Sequence, residues 1–304
     1  MQDTDALRAH LAANNGIAGL KRFQPGDVDA IVAQFRADGF VLVENVLDAG
    51  QVARLADDCA AVIEEILALD SDRAGNRGAH RYSFGGSSMT RSQLHRSAWQ
   101  MLLELSSVDQ LVSAIFESTE YVLRAASGDF CLAGAHEYQR LHADVRDWVS
   151  AEKTPFSAFH DPRGTLSIRD LPCPYLAVNF LPQDVTALNG PTRQIPGTQH
   201  SRARIPGLEE EPEWMRLSTV CPAPAGSMMI RDTRAWHGGT PNLSDATRAI
   251  PNLEFYAPWF REPMPPQISY RDYQALSPRA RQRIAHCVLD SSETLDTRTT
   301  LRAP

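Results

Sequence analysis

Positive charge and cysteine are both scarce in this sequence. Lys and Arg number 30 against 37 Asp and Glu in 304 residues, a net charge of −7. Nucleic-acid binding, which draws on clustered basic residues, is not expected. The five cysteines (Cys59, Cys131, Cys173, Cys221, Cys287) are odd in number and scattered, with no CxxC pair. Neither a disulfide framework nor a cysteine zinc site is indicated, and a reducing cytoplasm fits best. Long apolar runs are missing too: none approaches the roughly 18 residues needed to span a bilayer. The opening MQDTDALRAHLAANNG is acidic and has no apolar centre, unlike a signal peptide. Walker and GxGxxG phosphate loops are absent, as is the GxSxG elbow of serine hydrolases.

What is present is a chain with 43% apolar residues, enough for a substantial core. It reads as one domain in three sections: a mostly helical entry with a loop (1–118), a strand-rich core (119–260) and a polar tail from about 261 that packs on the outside. In the entry, DVDAIVAQFRAD (27–38) carries Val28, Ile31, Val32 and Phe35 at helical spacing and ends at Gly39. The strand GFVLVENVL follows. Asp48 with Gln51 three later is a capping-box pattern that opens a second helix, with Val52, Leu55, Cys59, Val62, Ile63 and Ile66 on one stripe. Residues 73–96 read as a loop and form the one basic island, with Arg73, Arg77, Arg81, Arg91 and Arg96 and no acid. A solvated surface loop explains them equally well. The sharper reading is a lid that offers cations to an anionic substrate, with Arg81 and Tyr82 as its contacts.

Then come runs typical of strands: STEYVLRAA, DFCLAGAHEYQRLHAD, CPYLAVNFL, GSMMIRD and TRAIPNLEFYAPWF. Residues 145–173 look like an insertion between two of them. Helices followed by many short strands predict a mainly β fold with a helical layer, a sandwich or barrel.

In EYQRLHADV, His142 and Asp144 are two apart, so on a strand they project to one side. Imidazole nitrogen and carboxylate oxygen suit Fe(II), and a second imidazole would complete a facial triad with three positions open. His237, at the end of GSMMIRDTRAWH, is the natural third ligand. An isolated HxD means little, since nine histidines give on the order of one by chance. Arg248 adds weight. The loop GGTPNLSDA can turn the chain back after His237, so that TRAIPNLEF pairs with the preceding strand as a hairpin and carries Arg248 beside the metal. A guanidinium there would clamp the far carboxylate of 2-oxoglutarate, while O2 takes the remaining iron position. A bare metal-binding jelly-roll protein, the rival from another class, has no use for that clamp. Other histidines fit less well: His160–Asp161 are adjacent and face opposite ways, His136 lies six residues from His142, and His200 sits in a turn.

HxD at 142–144, NGPTRQIPGTQHSR at 189–202 and WHGGTPNLSDATR at 236–248 together resemble the phytanoyl-CoA dioxygenase family of Fe(II)/2-oxoglutarate oxygenases. The resemblance is strong over 129–258 and extends more loosely to FRADGFVLVENVL. It implies a double-stranded β-helix (jelly roll, cupin-like), iron on His142, Asp144 and His237, and 2-oxoglutarate on Arg248. It further implies that Gln139 and Thr192 touch the co-substrate. The implied activity is oxidation, by default hydroxylation, of a C–H bond in a small metabolite or natural-product intermediate, with an anionic one as the option that the basic stretch adds. Desaturation, cyclisation or a CoA- or carrier-bound substrate would use the same ligands, whereas Asp144 argues against halogenation. No nucleic-acid or membrane partner is expected, and the oligomeric state is not legible.

Overall fold

A computed structural model of the chain describes residues 4–85, 91–147 and 158–300. Helices α1 (Thr4–Asn14), α2 (Val28–Asp38), α3 (Ala49–Leu69), α4 (Ser97–Leu103) and α5 (Ser106–Phe116) dominate the first third, with short strands β1 (Arg22–Phe23), β2 (Phe40–Val43) and β3 (Arg81–Phe84) between them. The core adds β4 (Val122–Cys131), β5 (Arg146–Asp147), β6 (Ala158–Phe159), β7 (Tyr175–Phe180), β8 (Arg193–Gln194), β9 (Met228–Asp232), β10 (His237–Gly238) and β11 (Arg248–Tyr256). Helix α6 (Glu213–Leu217) interrupts it, and α7 (Tyr270–Ala275) and α8 (Pro278–Ile284) close the chain.

Local chemistry accounts for the helix ends. Helix α2 stops because Gly39 takes the left-handed conformation at φ 78° and returns its N–H to Phe35 O. Helix α3 starts on the expected capping box: Asp48 accepts from Gln51 N, and Gln51 accepts from Asp48 N. Its stripe of Leu55, Cys59, Val62 and Ile66 is fully buried.

Seven strands form one sheet in the order β1-β2-β9-β7-β11-β4-β3, antiparallel except for the β1–β2 pair. Side chains alternate across it. On β11, Ala249, Leu253 and Phe255 enter the cluster shared with the helices, while Arg248, Ile250, Asn252 and Glu254 face a cavity on the other side. The opposite wall is a smaller, irregular sheet. It consists of β10 paired with β8, extended by single bridges Ala135–Asn242, His142–His237 and Asn189–Asn242. Two facing sheets with helices packed on the larger one make a jelly roll with a helical layer, as expected. Among the described residues no helix is long and apolar enough to cross a membrane.

Five expectations are corrected. STEYVLRAA and the start of DFCLAGAHEYQRLHAD are a single strand, β4, running through Gly128. That glycine marks a close approach and not a break: a Cβ there would meet Phe84 Cζ at 2.5 Å and Pro251 Cα at 2.9 Å. Beyond Cys131 the chain is irregular, so His142 and Asp144 lie on no continuous strand. The hairpin is absent as well. Strand β11 pairs with β4 and β7, so the loop after His237 crosses from the small sheet to the large one, as a jelly roll requires of successive strands. The basic stretch 73–96 is not all loop, since it supplies edge strand β3; residues 86–90 lie outside the described residues. Finally, the tail is more than a cover. Ile268, Leu276, Ala280, Ile284 and Cys287 join the main cluster, and buried Arg283 bonds Asp109 of α5 at 2.8 Å. Of the insertion, 148–157 lie outside the described residues. Its second half is anchored by Arg169, which donates to the carbonyls of Gln199 and Arg234.

Candidate metal centre and active-site cavity

The cavity between the sheets is about 490 Å³. At one side of it, three groups from the small sheet and its approach converge. His142 and His237 exchange backbone hydrogen bonds, N–H to O at 2.9 and 3.0 Å. This non-sequential bridge brings their rings to 4.2 Å between centroids. Asp144 donates its N–H to Thr233 O at 2.8 Å, which lays its carboxylate beside both rings. Its Oδ1 is 3.6 Å from His142 Nε2 and 3.5 Å from His237 Nε2, and the ligand atoms all lie within 4.8 Å of one another. The i, i+2 argument thus reached the right pair by the wrong local structure, because the hydrogen bonds to 233 and 237 do what strand alternation was expected to do.

The remaining atoms of the trio are already engaged. Nδ1 of His142 is 3.1 Å from Arg140 O, and Nδ1 of His237 is 3.0 Å from Ala235 O. The His142 ring therefore carries its proton on Nδ1 and turns an Nε2 lone pair inward, while Nδ1 of His237 lies between Ala235 O and Arg231 Nη1, the latter at 3.2 Å. Burial, then the neighbouring His237, pushes His142 down to about 4, which keeps it neutral and able to ligate. Burial alone would raise the Asp144 carboxyl, yet the Arg231 guanidinium beside it carries it well below the usual range. Arg231, on β9, donates to Asp144 Oδ2 at 2.8 Å. That bond leaves Oδ1 as the one carboxylate oxygen free to ligate. Arg231 was not singled out from sequence, although alternation in MMIRD already places it on the face opposite Met228 and Ile230.

Arg248 lines the same cavity. It is 4% exposed, and its Nε is buried without a hydrogen-bond partner. The side chain forms no ion pair among the described residues. Burial lowers its pKa, and the nearby Asp129 offsets part of that cost. A buried guanidinium left this way is costly unless a carboxylate completes it. The structure also places the other candidates. Thr192 lines the cavity. Gln139 lines it too, and its Oε1 accepts from Gly239 N at 3.0 Å; irregular backbone there removes the phase problem that strict alternation would pose. Arg81 is buried and spends its guanidinium on the carbonyls of Glu137 and Thr240, tying β3 to the small sheet. Tyr82 turns to the helical side, where it stacks on Phe130 at 4.5 Å and donates to Asp70 at 2.7 Å. Tyr82 still lines the cavity, while its ring and hydroxyl are held on the helical side. His200 is held by Arg169 O at 2.9 Å, and Asp161 caps its own loop by accepting from Thr165 and Leu166.

The family profile described as phytanoyl-CoA dioxygenase (PhyH) matches residues 35–250. The chain belongs to that family. It is therefore an oxidoreductase of the dioxygenase type, with the trio of His142, Asp144 and His237 inside the matched span. Among solved structures, the non-haem α-ketoglutarate-dependent epimerase SnoN from nogalamycin biosynthesis is similar at 19% identity. The match covers 76% of this chain and 81% of that one, with a TM-score of 0.54. EctD from S. alaskensis, solved with 2-oxoglutarate and 5-hydroxyectoine, matches at 18% identity over 77% of each chain, TM-score 0.51. HygX from Streptomyces hygroscopicus, solved with nickel, 2-oxoglutarate and hygromycin B, matches at 14% identity over 78% of this chain and 90% of that one, TM-score 0.52. At these identities the likeness establishes the fold. The dioxygenase resemblance expected from HxD, NGPT and WHGG is thus a family membership.

Proposed function

We propose that the protein is a non-haem Fe(II)- and 2-oxoglutarate-dependent dioxygenase that hydroxylates a C–H bond of a small molecule. The observation that carries this reading is Arg248, a buried cation with an orphaned Nε facing the same cavity as a two-histidine, one-carboxylate cluster. The donor set fits iron(II), since two neutral nitrogens and one carboxylate oxygen are its usual facial ligands. Held there with 2-oxoglutarate and O2, iron supplies oxidation of an unactivated C–H bond, with release of succinate and CO2.

The chain's own residues do the rest. His142 presents Nε2 because a backbone carbonyl holds its Nδ1 proton, and His237 Nε2 lies beside Asp144 Oδ1. Arg231 holds Asp144 to one ligating oxygen, which leaves positions for co-substrate and O2. Arg248 anchors the distal carboxylate of 2-oxoglutarate, and Gln139 and Thr192 contact the co-substrate beside it. Ile250 and Met229 give the cavity an apolar patch that keeps water from the reacting centre.

The test is conversion of 2-oxoglutarate to succinate. Turnover that needs added Fe(II) and disappears in Asp144→Ala is expected. Turnover that persists without iron, or a wild type that binds zinc and never consumes 2-oxoglutarate, would overturn the reading in favour of a non-catalytic metal site.

A further inference from the structure

The cavity is more cationic than its metal chemistry requires. Six arginines line it against three acids, Asp129, Asp144 and Glu254, in a chain whose net charge is negative. Four of the six have a task. Arg124 is paired with Glu254 and Glu262, and Arg231 with Asp144. Arg81 is bound to backbone carbonyls, and Arg248 awaits the co-substrate. Iron(II) and the 2-oxoglutarate dianion cancel one another, so they leave the excess unchanged.

Arg77 and Arg146 remain. Both line the cavity, and both are exposed, which puts them at its opening. Neither side chain has a hydrogen bond or ion pair among the described residues. Arg77 comes near enough to Asp129 to offset part of that carboxyl's burial, without contact. They stand on opposite sides of the fold's entry path in sequence, one before β3 and one on β5, and the cavity brings them to one chamber.

Deeper in, a second feature also asks for a ligand. Asn179, on β7, faces the cavity and is 6% exposed, yet its Nδ2 is buried with no partner. Its cross-strand neighbour Asn252 is already engaged, accepting from Ser127 Oγ. A buried amide donor left open in a polar pocket is normally completed by water or by ligand oxygen.

We propose that the substrate is a small oxyanion, a carboxylate, phosphate or sulfate, whose charged group is held at the opening by Arg77 and Arg146 while one of its oxygens accepts from Asn179. The proposal rests on the dioxygenase reading for the identity of this cavity as the reaction site. It moves the anion-binding role from Arg81, whose Nη2 is bound to two backbone carbonyls, to two arginines without a hydrogen-bond or ion-pair partner among the described residues. Guanidinium forks suit all three anions, and two solvent-exposed guanidiniums on one cavity add long-range attraction that raises encounter rates.

The experiment uses the full chain, loaded with Fe(II) and 2-oxoglutarate without oxygen and titrated calorimetrically with inorganic sulfate. Saturable binding to the wild type is expected, weakened about tenfold when both Arg77→Gln and Arg146→Gln are introduced, as loss of charge-assisted bonds implies. No saturable heat in the wild type, or equal affinity in a double variant with a native circular dichroism spectrum, overturns the proposal. The visible band of the iron–2-oxoglutarate chelate, recorded before each titration, reports on the dioxygenase reading separately: its absence with sulfate still bound fails that reading alone. Succinate release driven by matched acids and neutral amides gives a second measure. Acids should be the productive members, with KM raised in Asn179→Ala, and a neutral best substrate contradicts the proposal.

Discussion

At the scale of single residues, the outer oxygen of Asp144 is the atom that decides how the metal is held. Its 2.8 Å bond to Arg231 converts a carboxylate able to ligate through two oxygens into one that offers a single oxygen. Partners of this kind typically contribute 10- to 100-fold in metal affinity. Arg231→Met should therefore raise the Fe(II) dissociation constant by about that factor in a direct binding measurement; unchanged affinity would make the contact incidental. Arg248 poses the opposite balance. Its guanidinium costs stability while empty and is useful only once filled. In the metal-free, co-substrate-free chain, Arg248→Met should stabilise the fold by about 1–3 kcal/mol, seen as a higher Tm, because an unsatisfied buried donor is removed. The same variant should lose 2-oxoglutarate binding. A lower Tm would mean that the arginine is a structural residue. The meeting of His142, Asp144 and His237, and the place of Arg248 on the same cavity, were legible because the chemistry needs those residue types and few others in the chain could supply them. Arg231 and Asn179 were not, since an arginine or asparagine within a strand carries no signal until its face is known. Tyr82 was half legible: it lines the cavity as its place in the basic stretch suggests, while strand alternation turns its ring toward Phe130.

Secondary-structure elements show the same division. Helix α2 was readable to within a residue at both ends and α3 at its start, because a glycine and a capping box punctuate them. Strand β4 was split in the sequence reading, because Gly128 serves packing there and not a turn. The proposed hairpin failed for a topological reason: a turn-rich loop followed by a strand looks the same whether the chain folds back on its neighbour or arches to the facing sheet. The arch matters for function, since it places His237 on one wall and Arg248 on the other, with the cavity between. The tail was read as polar wrapping, and by composition it is. Its few apolar residues nevertheless enter the core, with Ile284 fully buried among the helices. Ile284→Ala should cost about 2–5 kcal/mol, measured by denaturant or thermal unfolding. A loss within about 0.5 kcal/mol, typical of surface changes, would show that α8 merely rests on the body.

For the molecule as a whole, the larger sheet is a wall with two faces. Its outer face is sealed by helices drawn from both ends of the chain, and its inner face carries arginines, amides and acids that would be unaffordable in a core without a ligand to meet them. The fold class was legible from strand count and punctuation. The cavity's full charge was not, because the six arginines that line it come from five separate stretches. The central claim is that iron and 2-oxoglutarate meet across this space, with His142, Asp144 and His237 at one end and Arg248 at the other. Anaerobic titration of the iron-loaded protein with 2-oxoglutarate, followed by the weak visible charge-transfer absorption of the chelate, tests it most directly. The account predicts that the absorption develops in the wild type, vanishes in His237→Ala, and requires far more 2-oxoglutarate in Arg248→Ala. A wild type that never develops it, or an Arg248→Ala curve that overlays the wild type, would contradict the account.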